Sequence, residues 1–281
     1  MRVITSEQIE TTIAGLCREA NIHLPKDILT ALSSAKQAEE SEAGQAVLND
    51  LITNAEMASA NEVAICQDTG MAVVFVEIGQ DVHITGGWIE DAINRGVATG
   101  YREGYLRNSI VRDPLIRINT GDNTPAVIHS RIVPGDQLRL VVAPKGFGSE
   151  NMSAACLLSP AQGESGIRRF VLETMDKAGP NPCPPVIIGV GLGGTLEKAA
   201  LLAKQALLIP TGQSNAQEHL ATMEKELLKA INDLGIGPGG LGGRITALAV
   251  HILAWPTHIA GLPVVVNMSC HATRHAEAIL P

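Results

Sequence analysis

Five cysteines, Cys17, Cys66, Cys156, Cys183 and Cys270, have the most chemistry to offer in this sequence. Their odd number and wide spacing argue against a disulfide framework and for a reducing compartment. Three roles then remain: core thiol, nucleophile or metal ligand. Cys17 and Cys156 have apolar neighbours and read as core thiols, the common fate of a free cysteine. The other three stand at the edges of expected strands, among polar or structure-breaking residues. Cys66 opens Cys-Gln-Asp-Thr-Gly, Cys183 lies in Asn-Pro-Cys-Pro-Pro, and Cys270 lies in Asn-Met-Ser-Cys-His-Ala-Thr-Arg. Prolines on both sides of Cys183 withhold neighbouring N–H groups and fix the chain direction, which suits a thiolate aimed at a metal. Structural zinc prefers closely paired C-x₂₋₄-C units, and none occurs here. Three distant thiolates suit an iron–sulfur cluster better. A 4Fe–4S cluster with three protein ligands keeps one iron open, able to bind a substrate oxygen as a Lewis acid.

Other groups carry two readings each. Lys145 sits in Pro-Lys-Gly-Phe-Gly-Ser-Glu-Asn, where loop N–H groups and the ammonium suit a carboxylate, or where a solvated lysine simply follows a strand. Arg107 ends a helical stretch, as an anion ligand or as a charge facing the helix dipole. His258, in a loop bounded by Pro256 and Gly261, is a site residue or a structural histidine. His271 adjoins Cys270 and can orient it. Gly-Val-Gly-Leu-Gly-Gly-Thr, from Gly189 to Thr195, is a poor nucleotide signature; close helix–strand packing or an anion at a helix N-terminus explains it as well. The glycine-dense run Gly235 to Arg244 is either a linker or a place where backbone approaches a ligand closely.

These groups need elements to hold them. The chain has 281 residues, 45% hydrophobic, enough for a substantial core. Leu, Ile, Val and Ala must fill it, because aromatic residues make up only 2%. No apolar run approaches the ~18 to 20 residues of a membrane span, and the N-terminus lacks a signal-peptide layout, so a cytoplasmic protein without a membrane partner is expected. A net charge of −8 without a basic block argues against a nucleic-acid partner, and it requires local cations wherever an anion binds.

The spacing predicts a helical N-terminal lobe over 1–60. Thr5-Ser-Glu-Gln8 forms a capping box, Ile9, Ile13 and Leu16 recur at helical period, Pro25 suits the first turn of a second helix, and Ser41 to Ala60 continue the pattern. Next come a buried strand, Met-Ala-Val-Val-Phe-Val-Glu-Ile, and a helix over Gly87 to Leu106. From Pro125 to Pro144 two strands joined by Pro-Gly-Asp read as a hairpin. Helices over Gly163–Ala178, Thr195–Leu208 and Asn215–Leu234 alternate with strands in Pro-Val-Ile-Ile-Gly-Val-Gly, Ile-Thr-Ala-Leu-Ala-Val-His-Ile-Leu and Pro-Val-Val-Val-Asn. The class is α/β, with mixed sheets and surrounding helices. Residues 1–281 read as a single catalytic domain, the lobe followed by a cluster-binding core over 61–281.

Taken together the phrases are specific. Cys-Gln-Asp-Thr-Gly; Asp-Pro-Leu with Asn-Thr-Gly-Asp-Asn-Thr-Pro-Ala; Lys-Gly-Phe-Gly-Ser-Glu-Asn-Met-Ser; Pro-Cys-Pro-Pro with Gly-Val-Gly-Leu-Gly-Gly-Thr; and Cys-His-Ala-Thr-Arg occur in that order across nearly the whole chain. The sequence resembles the α subunit of the iron–sulfur-dependent hydro-lyases, the class I fumarase and L-tartrate dehydratase family. The resemblance implies that Cys66, Cys183 and Cys270 bind a 4Fe–4S cluster. It implies that Gln67 and Asp68 contact substrate, with Asp68 a proton-transfer group, and that Arg107 and His258 bind a dicarboxylate near the Lys145, Gly146 and Gly148 loop. It also implies a β subunit. Single-chain members carry a further domain that supplies a threonine, arginines and a lysine, whereas this sequence stops at Pro281. An α2β2 or similar assembly follows from that. Phe147 departs from the Gly-Gly-Gly run of many single-chain members.

The implied reaction is reversible hydration of fumarate to (S)-malate, a tricarboxylic acid cycle step, and L(+)-tartrate dehydration is the alternative within the family. Outside it stand a non-catalytic iron–sulfur binding or sensing module, and a hydrolase with Cys66 as nucleophile and His258 as base.

Overall fold

The computed structural model describes residues 2–281. In chain order the first half comprises β1 (Arg2–Thr5), α1 (Ser6–Ile22), α2 (Lys26–Ala38), α3 (Glu42–Asn61), β2 (Met71–Gly79), β3 (Val82–Thr85), α4 (Ile89–Glu103), β4 (Val127–Val133) and β5 (Leu138–Lys145). The second half comprises α5 (Phe147–Glu150), β6 (Ala154–Leu158), α6 (Gly163–Ala178), β7 (Val186–Gly193), α7 (Leu196–Ala206), α8 (Glu218–Asn232), β8 (Ala247–Trp255), β9 (Leu262–Met268) and β10 (Ala276–Leu280). They pack as two compact units. The first comprises Met1–Leu24, Ala55–Gly146 and Arg274–Pro281; the second comprises Pro25–Asn54 and Phe147–Thr273. The mixed α/β class expected from the sequence is what forms. Among the described residues no helix is long and apolar enough to cross a membrane.

In the first unit the Thr5–Gln8 capping box is present as read, starting α1. Pro25, placed in a first helical turn by the sequence reading, instead takes the N-cap position of α2 in the second unit. A four-stranded sheet in the order β10-β5-β2-β4 has its core face built from Ala72, Val74 and Val76 of β2 with Leu138, Leu140 and Val142 of β5. Ile9, Ile13 and Leu16 of α1 and Ile93 and Val97 of α4 close that face.

The expected hairpin over 125–144 does not form. Its two strands exist, but β2 lies between them, parallel to β4 and antiparallel to β5. β2 is apolar on nearly every side chain and gains ladder partners on both edges from a central place, whereas β4 exposes Val127, Ser130, Arg131 and Ile132 and suits an edge. Pro134 to Gln137 arch over the end of β2 instead of turning tightly. Gly79 N–H donates to Gln137 O at 2.8 Å, and Asp81 N–H donates to Gly135 O at 3.0 Å.

The second unit holds the sheet β6-β9-β7-β8, with β7 parallel to β8 and antiparallel to β9. Val186, Ile188, Val190 and Leu192 of β7 pack with Val171 and Met175 of α6 and with Leu227 and Ile231 of α8. On the other face α7 lies directly on β7. A Cβ added at Gly189 would stand 2.1 Å from Ala203 O, and one at Gly191 would stand 1.9 Å from Ala199 O. The Gly-Val-Gly-Leu-Gly-Gly-Thr run is therefore a packing device, one of the two readings open from the sequence. The glycine-dense run 235–244 wraps an internal carboxylate: Glu39, 2% exposed, accepts hydrogen bonds from the N–H groups of Glu40, Ser41, Arg244 and Ile245.

Candidate functional site

In the first unit the Cys66–Gly70 turn runs between α3 and β2. Gly70 has φ +75, and a Cβ there would lie 2.7 Å from the Lys145 carbonyl carbon, so glycine lets the turn pass against the start of the Lys145 loop. Asp68 Oδ1 accepts from Gly70 N–H at 3.1 Å, and its Oδ2 is 3.2 Å from where a Gly146 Cβ would stand. A side chain at 146 would therefore crowd the Asp68 carboxylate. Cys66 Sγ lies 3.6 Å from Gln67 Oε1. Lys145 is largely buried, its Nζ 3.4 Å from Gly146 O.

Arg107 is brought to the same turn through its backbone. Thr69 Oγ1 accepts from Arg107 N–H at 2.9 Å and donates to Arg107 O at 3.2 Å. Tyr101 Oη donates to Thr69 O at 2.8 Å, and burial pushes that phenol's pKa well up, so it stays a donor. Arg274 was not singled out from the sequence. It is 5% exposed and donates from Nη2 to Asp68 O at 2.5 Å. Its signal was present as the last residue of Cys-His-Ala-Thr-Arg, read there only as part of a motif. One unit thus gathers Cys66, Gln67, Asp68, Arg107, Lys145 and Gly146 and adds a buried guanidinium.

In the second unit Cys183 is exposed and has φ +57, a left-handed conformation that a side chain rarely adopts. Its carbonyl accepts from His271 N–H at 3.2 Å and stands 3.2 Å from His271 Nδ1. His271 thus clips the Cys183 loop to the Cys270 loop, the orienting task open to it from the sequence. Ser269 N–H donates to Ile187 O at 2.9 Å, tying the two loops again one step further in. Thr273 Oγ1 donates to Cys270 O at 2.8 Å. Gly148 lies in α5, and Glu150, at its end, accepts from Lys204 Nζ at 2.6 Å and from Asn267 Nδ2 at 2.9 Å. His258 is not brought to these loops. It precedes β9 while Cys270 follows it, and a seven-residue strand is about 20 Å long.

None of the five cysteines is in a disulfide. Burial pushes the Cys17 thiol up to about 12, so it stays a protonated core thiol as expected. Cys66 and Cys270 are partly exposed and Cys183 is exposed, each on a loop. Among the described residues no three His, Cys, Asp or Glu side chains are gathered to hold a metal ion. The donor set nevertheless has the right chemistry for an iron–sulfur group: soft thiols on loops outside the cores, each at least partly exposed.

A family model described as fumarate hydratase (Fumerase) matches residues 10–279. The chain is 42% identical over 275 residues, 96% of each protein, to "Putative L(+)-tartrate dehydratase subunit alpha" of Methanocaldococcus jannaschii. It is 29% identical over 272 residues, 95% of this chain and 89% of the relative, to "L(+)-tartrate dehydratase subunit alpha" of Escherichia coli K12.

Proposed function

Because the chain belongs to the fumarate hydratase (Fumerase) family, we propose that it is the α subunit of an iron–sulfur hydro-lyase that hydrates fumarate reversibly to (S)-malate, with a β subunit completing its site. The observation that carries this reading is the His271 clip. It holds two loop cysteines together, one of them in a left-handed conformation, while Cys66 adjoins the Asp68 turn in the other unit. In this reading Cys66, Cys183 and Cys270 hold a 4Fe–4S group, which when bound supplies a Lewis acid toward a substrate oxygen.

The remaining chemistry falls to this chain's own groups. A proton α to a carboxylate is hard to remove because the resulting dianion is poorly stabilised in water. Fixed cations and N–H donors in a site shielded from water supply that stabilisation. Arg107, Lys145 and the N–H groups around Gly146 and Gly148 meet the carboxylates. Gln67 orients the substrate. Asp68 moves the proton, with Arg274 holding its backbone and adding positive charge beside it. His258, at the opposite end of β9 from Cys270, is left out of these steps.

The test is anaerobic co-expression with a β-type chain, counts of iron and sulfide, and assays with fumarate and L(+)-tartrate. The reading expects a brown complex that hydrates fumarate faster than it dehydrates tartrate. A faster tartrate reaction reassigns the substrate, and bound iron without either activity makes the chain a non-catalytic iron–sulfur module.

A further inference from the structure

The proposed chemistry gives no task to Asn-Thr-Gly-Asp-Asn-Thr-Pro-Ala. Its Asn123 is 0% exposed and has φ +60, a conformation asparagine tolerates better than most residues. Main chain from two different segments satisfies both ends of its side chain. Nδ2 donates to Gly70 O at 3.1 Å, and Oδ1 accepts from Ser109 N–H at 2.7 Å. Gly70 stands two residues after Asp68, and Ser109 two residues after Arg107. Thr69 makes the second link through its hydroxyl, which bonds both Arg107 N–H and Arg107 O. Arg107 lies outside regular structure with an exposed side chain, and such backbone moves readily unless something holds it. Here it is fastened on both sides to the turn that carries Asp68.

We infer that Thr69 and Asn123 are positioning residues for the hydration reaction, Thr69 fixing Arg107 and Asn123 holding the Asp68 turn. The inference rests on the hydro-lyase reading, so the wild-type complex with its β-type chain is assayed first. No turnover of fumarate or tartrate defeats that reading and this inference together.

Given wild-type turnover, Thr69→Val removes the hydroxyl at nearly constant shape. The expected result is a KM raised about tenfold with kcat within about twofold, the mark of lost uniform binding. Asn123→Asp keeps an acceptor for Ser109 N–H and loses the donor to Gly70 O. It should lower kcat about tenfold with KM within about twofold, at wild-type iron content. Thr69→Ser should restore the wild-type KM, and in an Arg107→Ala background Thr69→Val should leave KM unchanged. The inference fails if both variants change kcat and KM in equal proportion, or if Thr69→Val raises KM as much without Arg107 as with it. Should Asn123→Asp not fold, the Thr69–Arg107 cycle decides alone.

Discussion

Cys183 and Glu39 show what one residue can reveal in this chain. Cys183→Ser keeps size and exposure but replaces a soft donor with a hard one. Anaerobically purified Cys183→Ser protein is expected to lose most of its iron and its brown absorbance, with an unchanged circular dichroism melt. Full iron content would remove Cys183 from the ligand set. Glu39 is a stability element. Burial pushes its pKa up, but the N–H groups of Arg244, Ser41, Ile245 and Glu40 outweigh burial and hold the carboxyl below its ordinary value. The folded state therefore favours the ionised form. That contribution is complete above the unfolded pKa near 4.5 and is lost as pH falls through the lower folded value. Glu39→Gln should cost about 2 to 3 kcal/mol in urea unfolding at pH 7, with the deficit shrinking below pH 4. The three loop cysteines stand out in the sequence because their neighbours break regular structure, whereas Asp68 stands out only through the family resemblance. Arg274 does not stand out, because its partner is a backbone oxygen 206 positions away.

At the scale of the element, glycine decides how α7 meets β7. Gly191→Ala puts a methyl 1.9 Å from Ala199 O, so the helix must lift from the sheet, and the variant should lose about 3 kcal/mol or fail to fold. Gly15 lies in α1 with nothing within 4 Å of an added Cβ. Gly15→Ala should instead stabilise by about 0.5 to 1 kcal/mol through helix propensity, read in the same denaturant melt. Helices and strands of this chain were readable because periodicity is local. The neighbours of β2 were not, since Val73 pairs with Val127 on one side and Ala143 on the other, and a Pro-Gly-Asp connection looks the same whether it turns a hairpin or arches over a third strand. The glycine runs were ambiguous for a related reason: composition shows that something approaches the backbone closely, not whether it is a helix, a buried carboxylate or a ligand.

For the molecule as a whole, the first unit is assembled from three separate stretches of chain and the second from two. The last stretch supplies β10, which pairs with β5 from Ala276 to Leu280, together with Arg274 on the Asp68 turn. Ending the chain at Thr273 should loosen the first unit selectively. Hydrogen exchange should speed up in α1, β2 and β5 while β7 and β9 keep their protection; equal loss in both units would show that they unfold as one.

The same interleaving has a consequence for how the protein is made. β2 is synthesised about fifty residues before β4, which supplies its first sheet partner, and β10 reaches β5 only after every residue of the second unit has been added. While the ribosome is still at work, the highly apolar β2 must wait with both edges open, and the Asp68 turn lacks its arginine until the final residues of this sequence emerge. The nascent chain is thus expected to aggregate most readily through β2, and a chaperone that shields an extended apolar segment during synthesis should raise the yield of this protein more than one that acts after release.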